Sequence, residues 1–158
     1  MKHTNVGPIS NKEIKAFVGR NNEYYLEKWQ SRENSMYKGW NFAAMFFSIE
    51  WMAYRKMYIE ALVCFLVMWL MAVIVGFILE ALDIRLNSNI TRDAFRVFVG
   101  AIANALYHRK VMRAINKVSG VNETKRIDIL KRDGGVSANG LIVCILIQVG
   151  IIIVMFNR

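Results

Sequence analysis

Polar and ionisable side chains inside long apolar runs are the first candidates for chemistry in a chain of this kind. They are Glu60, Glu80, Arg96, Asn104 and Gln148. Glu60 lies at the start of its run, while Glu80 and Arg96 lie at run ends that would share one level, so these two could form an interhelical ion pair. Asn104 and Gln148 lie deeper and could hydrogen-bond between helices or across an oligomer. Such bonds are worth only about 0.6 kcal/mol on average in membranes, so structural contact is the preferred reading over a transport path. Cys64 and Cys144 stand in different runs without a CxxC partner and read as small apolar fillers. The histidines are His3 and His108, too few and too far apart for a ligand set. No HExxH, Walker A, GxSxG or GxGxxG pattern occurs. Gly134-Gly135 reads as a turn. The expectation is a protein with no enzymatic activity, no metal and no cofactor.

The elements that must position these groups follow from composition. Of 158 residues 55% are hydrophobic, and the charged 21% is concentrated in short basic stretches between charge-free runs. That apolar content argues against disorder, and two cysteines argue against a disulfide scaffold. Residues 61–79 carry no charge over nineteen positions, about 28 Å of helix, so 57–82 is expected to cross a bilayer. Residues 141–156 form a second apolar run, broken only by Gln148 and Gly150, within an expected span over 138–156; Ser137 is its N-cap. A third, weaker span is expected over 91–107, with Thr91 as N-cap, Arg96 within a turn of the boundary, and a continuation to about Val118. The expected class is therefore an all-α membrane protein with about three transmembrane helices.

The basic residues choose the threading. Lys and Arg number nine in residues 1–57, three in 83–96, eight in 108–138, and one at Arg158. Three spans put seventeen inside and four outside, with the N-terminus in the cytoplasm and the C-terminus out. Two spans put ten inside and eleven outside, which erases the asymmetry. Residues 1–39 then form a cytoplasmic segment and 108–137 a basic cytoplasmic loop or helix. The polar first 35 residues hold no apolar signal-peptide core, so the first span is expected to act as an uncleaved anchor.

Residues 40–56 are rich in aromatics and too short to span, about 22 Å of helix over 40–54. They read as an interfacial helix, with Trp40, Trp51, Tyr54, Arg55 and Lys56 as headgroup-level anchors and Lys56 pairing with Glu60. A short re-entrant or tilted half-span is the alternative. Nearer the start, residues 1–9 with Pro8 read as loose. Ser10 and Glu13 have capping-box spacing, Gly19 ends that helix, and Asn21 or Asn22 begins another. In the basic loop, Arg109, Lys110, Arg113 and Lys117 are candidate contacts for anionic lipid, although an orientation signal alone would explain them.

Several patterns occur together in order: Phe17-Val18-Gly19-Arg20-Asn21, Tyr24-Tyr25-Leu26-Glu27-Lys28-Trp29, Gly39-Trp40-Asn41-Phe42, Trp51-Met52-Ala53-Tyr54-Arg55-Lys56-Met57-Tyr58, Asn104-Ala105-Leu106-Tyr107 and Gly134-Gly135-Val136-Ser137. In this arrangement residues 14–140 resemble an uncharacterised bacterial family of small multi-pass membrane proteins known as a domain of unknown function. Ser48 and Glu50 depart from its apolar or Gly/Pro pattern. The resemblance implies a bacterial inner-membrane location and brings no known activity, so no catalytic residue is carried over from it. The expected function is that of a non-enzymatic accessory, regulatory or immunity-type partner of a membrane assembly; an oligomeric small channel or transporter is the alternative. Expected partners are the bilayer, anionic lipid, and a protein or a second copy. A net charge of +9 attracts polyanions, but the orientation rule explains most of it, so no nucleic acid is expected.

Overall fold

The computed structural model describes residues 10–30, 39–84 and 88–157. The expectations for residues 1–9, including His3, and for Arg158 lie outside them. The described residues form α-helices joined by short turns, with no strand among them. They fall into two compact units, residues 10–30 and 39–40 with 104–136, and residues 41–84 and 88–103 with 137–157.

The first unit contains α1 (Asn11–Val18), α2 (Asn22–Gln30), the second half of α5 (Ser88–Lys117), and α6 (Glu123–Asp133). The α1 start is a capping box: the Ser10 hydroxyl accepts from Lys12 N–H, and the Ser10 N–H donates to Glu13 at 3.1 Å. Gly19, at φ 62°, ends α1 and lets α2 fold back on it. α6 starts at Asn122, whose side chain accepts from Thr124 N–H. α1 packs against α6 as well as α2. Gly134 makes that approach possible, because a β-carbon there would collide with the Phe17 carbonyl. The next N–H, from Gly135, donates to the same carbonyl at 2.6 Å. The core is built around Val18, Leu26, Val111, Ile115 and Leu130, all buried.

The second unit contains α3 (Phe42–Tyr54), α4 (Tyr58–Ala81), the first half of α5, and α7 (Ala138–Phe156). α3 packs against both α4 and α7. By length and composition α4 and α7 are apolar enough to cross a membrane, and neither is buried by the rest of the chain. Large apolar side chains are exposed along both. Helices that are apolar all round belong to protein cores or to membranes. α5 has 30 residues, but Arg92, Asp93 and Arg96 break its apolar run. It begins at Ser88, so Thr91 lies inside it rather than capping it. Ser137 does cap α7, accepting from Gly140 N–H at 2.9 Å.

Candidate functional site

The second unit is organised around the joint between α3, α4 and α7. The α3 helix is kinked at Ser48 (φ 33°, ψ −99°), a backbone conformation that glycine adopts far more readily than serine. Ser48 is buried and its hydroxyl has no hydrogen-bond partner among the described residues. The kink divides α3 into two faces with different fates. Before it, Phe42, Phe46 and Phe47 are 61–65% exposed. After it, Trp51, Met52 and Ala53 are buried.

This corrects the expected anchor set. Trp51 is 6% exposed and Arg55 3%, so both are turned into the protein rather than toward headgroups. In an unkinked helix Trp51 would share a face with Phe47, four residues earlier; the kink rotates it inward. Trp40 and Phe42 remain on the surface, and Tyr54 is half-buried. Lys56 has φ 57° and lies between helices, so it does not sit one helical turn before Glu60.

The chain turns at Arg55 and Lys56 and enters α4 at Tyr58. There the starts of α4 and α7 meet. Ser137 N–H donates to the Tyr54 carbonyl at 2.8 Å. A β-carbon on Gly140 would lie 2.7 Å from the Tyr58 hydroxyl and 3.1 Å from the Ala53 carbonyl, so only glycine fits without a shift. The first turns of the two long apolar helices are therefore neighbours.

The remaining polar candidates are placed as follows. Glu60, in the first turn of α4, is half-buried. Glu80 is exposed at the other end of α4. The expected Glu80–Arg96 pair is not formed. Arg96 instead lies 3.6 Å from Asp93, one turn back on its own helix, and Asp93 also takes Arg92 at 3.3 Å. Such i, i+3 proximity makes Asp93 the nearer and less costly partner. Gln148 donates to the Cys144 sulfur at 3.4 Å within α7, so its contact is intrahelical rather than interhelical. In α3 Asn41 accepts from Ala44 N–H, and its own N–H donates to the Gly100 carbonyl of α5 at 2.9 Å.

In the first unit Asn104 is fully buried and donates to the Gly39 carbonyl at 3.0 Å. Its side chain therefore satisfies the backbone of the non-helical segment at Gly39. Beside it is an aromatic cluster that sequence reasoning missed. The Tyr107 ring is 5.0 Å from Tyr25 and 5.8 Å from Trp29, and His108 is 4.9 Å from Trp29. The signal was the i, i+4 spacing of Tyr25 and Trp29 on α2, which turns both to one side. Arg126 faces the buried Glu13 at 2.9 Å, tying α6 to α1. Its Nε–H is not aligned on the oxygen, so this contact is an ion pair rather than a good hydrogen bond. At the surface Lys12 pairs with Glu123 at 2.8 Å and holds the Glu123 carboxyl below its ordinary value. Arg109, Arg113 and Lys117 are exposed on α5, and Lys110 is half-buried.

Among the described residues no group of three or more His, Cys, Asp or Glu side chains is arranged to hold a metal ion. A family model described as "Protein of unknown function (DUF2628)" matches residues 11–113, from α1 into the second half of α5. No curated protein and no solved structure matches the chain.

Proposed function

The chain belongs to the DUF2628 family, and on that footing we propose that it is an integral membrane protein that crosses the bilayer three times and works by contact, as an accessory or regulatory component of a membrane assembly. The observation that carries the threading is the meeting of Tyr58 and Gly140. Two apolar helices whose first turns touch start from the same side. If both cross, the chain between them must come back. α5 is the helix available for the return: residues 88–107 rise about 30 Å. The Arg92–Asp93–Arg96 group then sits at the outer boundary, where Asp93 partly neutralises the two arginines. Their side chains lean toward the helix N-terminus, away from the hydrocarbon. The positive-inside rule selects the same orientation, with residues 10–57 and 108–137 in the cytoplasm of a bacterium and the C-terminus outside. The first half of α3, with Phe42, Phe46 and Phe47, faces lipid at the inner boundary.

A contact role is supported by what the polar groups do. Asn104 and Asn41 hold backbone, Arg96 pairs locally, and Gln148 serves its own helix. Each is engaged in building the protein, which leaves Asn104 and Gln148 poorly placed to line a pore. Purification of the full chain from its native membrane in mild detergent tests the role, reading mass and co-purifying proteins together. A stoichiometric partner is expected. A pure homo-oligomer would replace this reading with a channel, and a lone monomer without partner would contradict it.

A further inference from the structure

We propose that the exposed stripe Arg109, Arg113 and Lys117 on α5 is a docking face for the phosphate headgroups of anionic phospholipid in the inner leaflet. The inference rests on the three-crossing reading. The stripe is spaced i, i+4, i+8, and all three side chains are exposed. The buried residues Tyr107, Val111 and Ile115 repeat at the same interval two positions earlier, so the stripe lies on the opposite face of the helix. Several other basic side chains of the first unit meet carboxylates: Lys12 with Glu123, Lys15 with Glu23, Arg126 with Glu13. The stripe does not. Residues 94–122 contain no Asp or Glu, and no ion pair to Arg109, Arg113 or Lys117 occurs among the described residues.

Helix-dipole compensation does not account for the pattern. That effect fades within the last turn, so it covers Lys117 and leaves Arg109 and Arg113 unexplained. Depth favours lipid over another polyanion. Arg109 follows directly on the apolar half of the same helix. Arg113 is about 6 Å farther along and Lys117 about 12 Å. The headgroup layer is about 5–7 Å thick on each side. Side chains on a helix lean toward its N-terminus, which on α5 is the direction of the membrane. Arg113 thus reaches back into the layer, and Lys117 reaches its edge.

The test is native mass spectrometry of the full chain in detergent micelles, offered phosphatidylglycerol and phosphatidylcholine in equal amounts. The expected result is retention of phosphatidylglycerol about ten-fold or more above phosphatidylcholine, from about five-fold per basic residue near the surface. The Arg109→Gln/Arg113→Gln/Lys117→Gln triple variant should lose that preference. A Lys125→Gln/Lys131→Gln variant, altered on α6 among acidic neighbours, should keep it. If the triple variant fails to fold, the preference of the unaltered chain should still fall steeply with added salt. Absence of preference, its survival in the folded triple variant, or its removal by an equal concentration of inorganic phosphate would overturn the proposal. So would salt-sensitive oligonucleotide binding through the stripe without lipid preference. A chain that remains soluble and monodisperse without detergent would instead overturn the three-crossing reading.

Discussion

Ser48 stands where the backbone of α3 breaks, and its side chain gains nothing there: φ is positive and the hydroxyl is buried without a partner among the described residues. Removing both penalties should outweigh the entropy lost by glycine, so Ser48→Gly is expected to stabilise the protein by about 1 kcal/mol. Thermal unfolding in detergent measures this, and a lowered midpoint would count against a strained kink. Asn104 is the opposite case, since its amide satisfies the Gly39 carbonyl in the interior. Asn104→Leu should lower stability by about 1–3 kcal/mol, read in the same unfolding experiment. Sequence reasoning reached Asn104 as a polar residue in an apolar run but not its partner, because Gly39 is far away in the chain and only the fold brings it near. It placed Trp51 and Arg55 at headgroup level because it assumed one continuous helical phase. The Ser48 kink resets that phase, and serine is not a residue type that announces a break. The helix ends were readable, since the capping box at Ser10 and Glu13 and the caps at Gly19 and Ser137 follow local rules.

Helices pack here through a few close approaches, and two of these can be perturbed separately. At the α4–α7 joint, Gly140→Leu should lower stability by crowding Tyr58, and Tyr58→Ala alone should lower it by losing contact area. The double variant should lose less than the sum of the two, because the smaller side chain vacates the space that leucine needs. Strict additivity in a double-mutant cycle would mean that the two residues do not touch. Between α1 and α6 the exposed Lys12–Glu123 pair lowers the pKa of Glu123 in the folded state below its ordinary value of 4.5. A lowered folded pKa contributes stability that is present above the unfolded value and lost as pH falls through the folded one. Glu123→Gln should therefore lose less stability than the unaltered chain as pH falls below the ordinary value of 4.5, an effect that added salt weakens. The long helices themselves were legible from uninterrupted apolar runs. The continuation of α5 to about Val118 was legible too, since the helix ends at Lys117. Its start at Ser88 was missed because Thr91 offered an equally good cap type.

For the whole chain the central claim is the number of crossings and their direction. The apolar runs over α4 and α7 show two helices fit to cross, and charge bookkeeping favours a third. What the sequence could not contain is that α4 and α7 start side by side, a contact between residues 58 and 140 that makes a return crossing necessary if both span. The most direct measurement is labelling of single cysteines at Ser10, Asp83, Glu123 and Asn157 with a membrane-impermeant maleimide, after Cys64 and Cys144 are replaced by alanine. In intact cells Asp83→Cys and Asn157→Cys should react, and Ser10→Cys and Glu123→Cys should react only after the membrane is opened. Labelling of positions 83 and 123 from the same side would contradict the account, since α5 would then not cross.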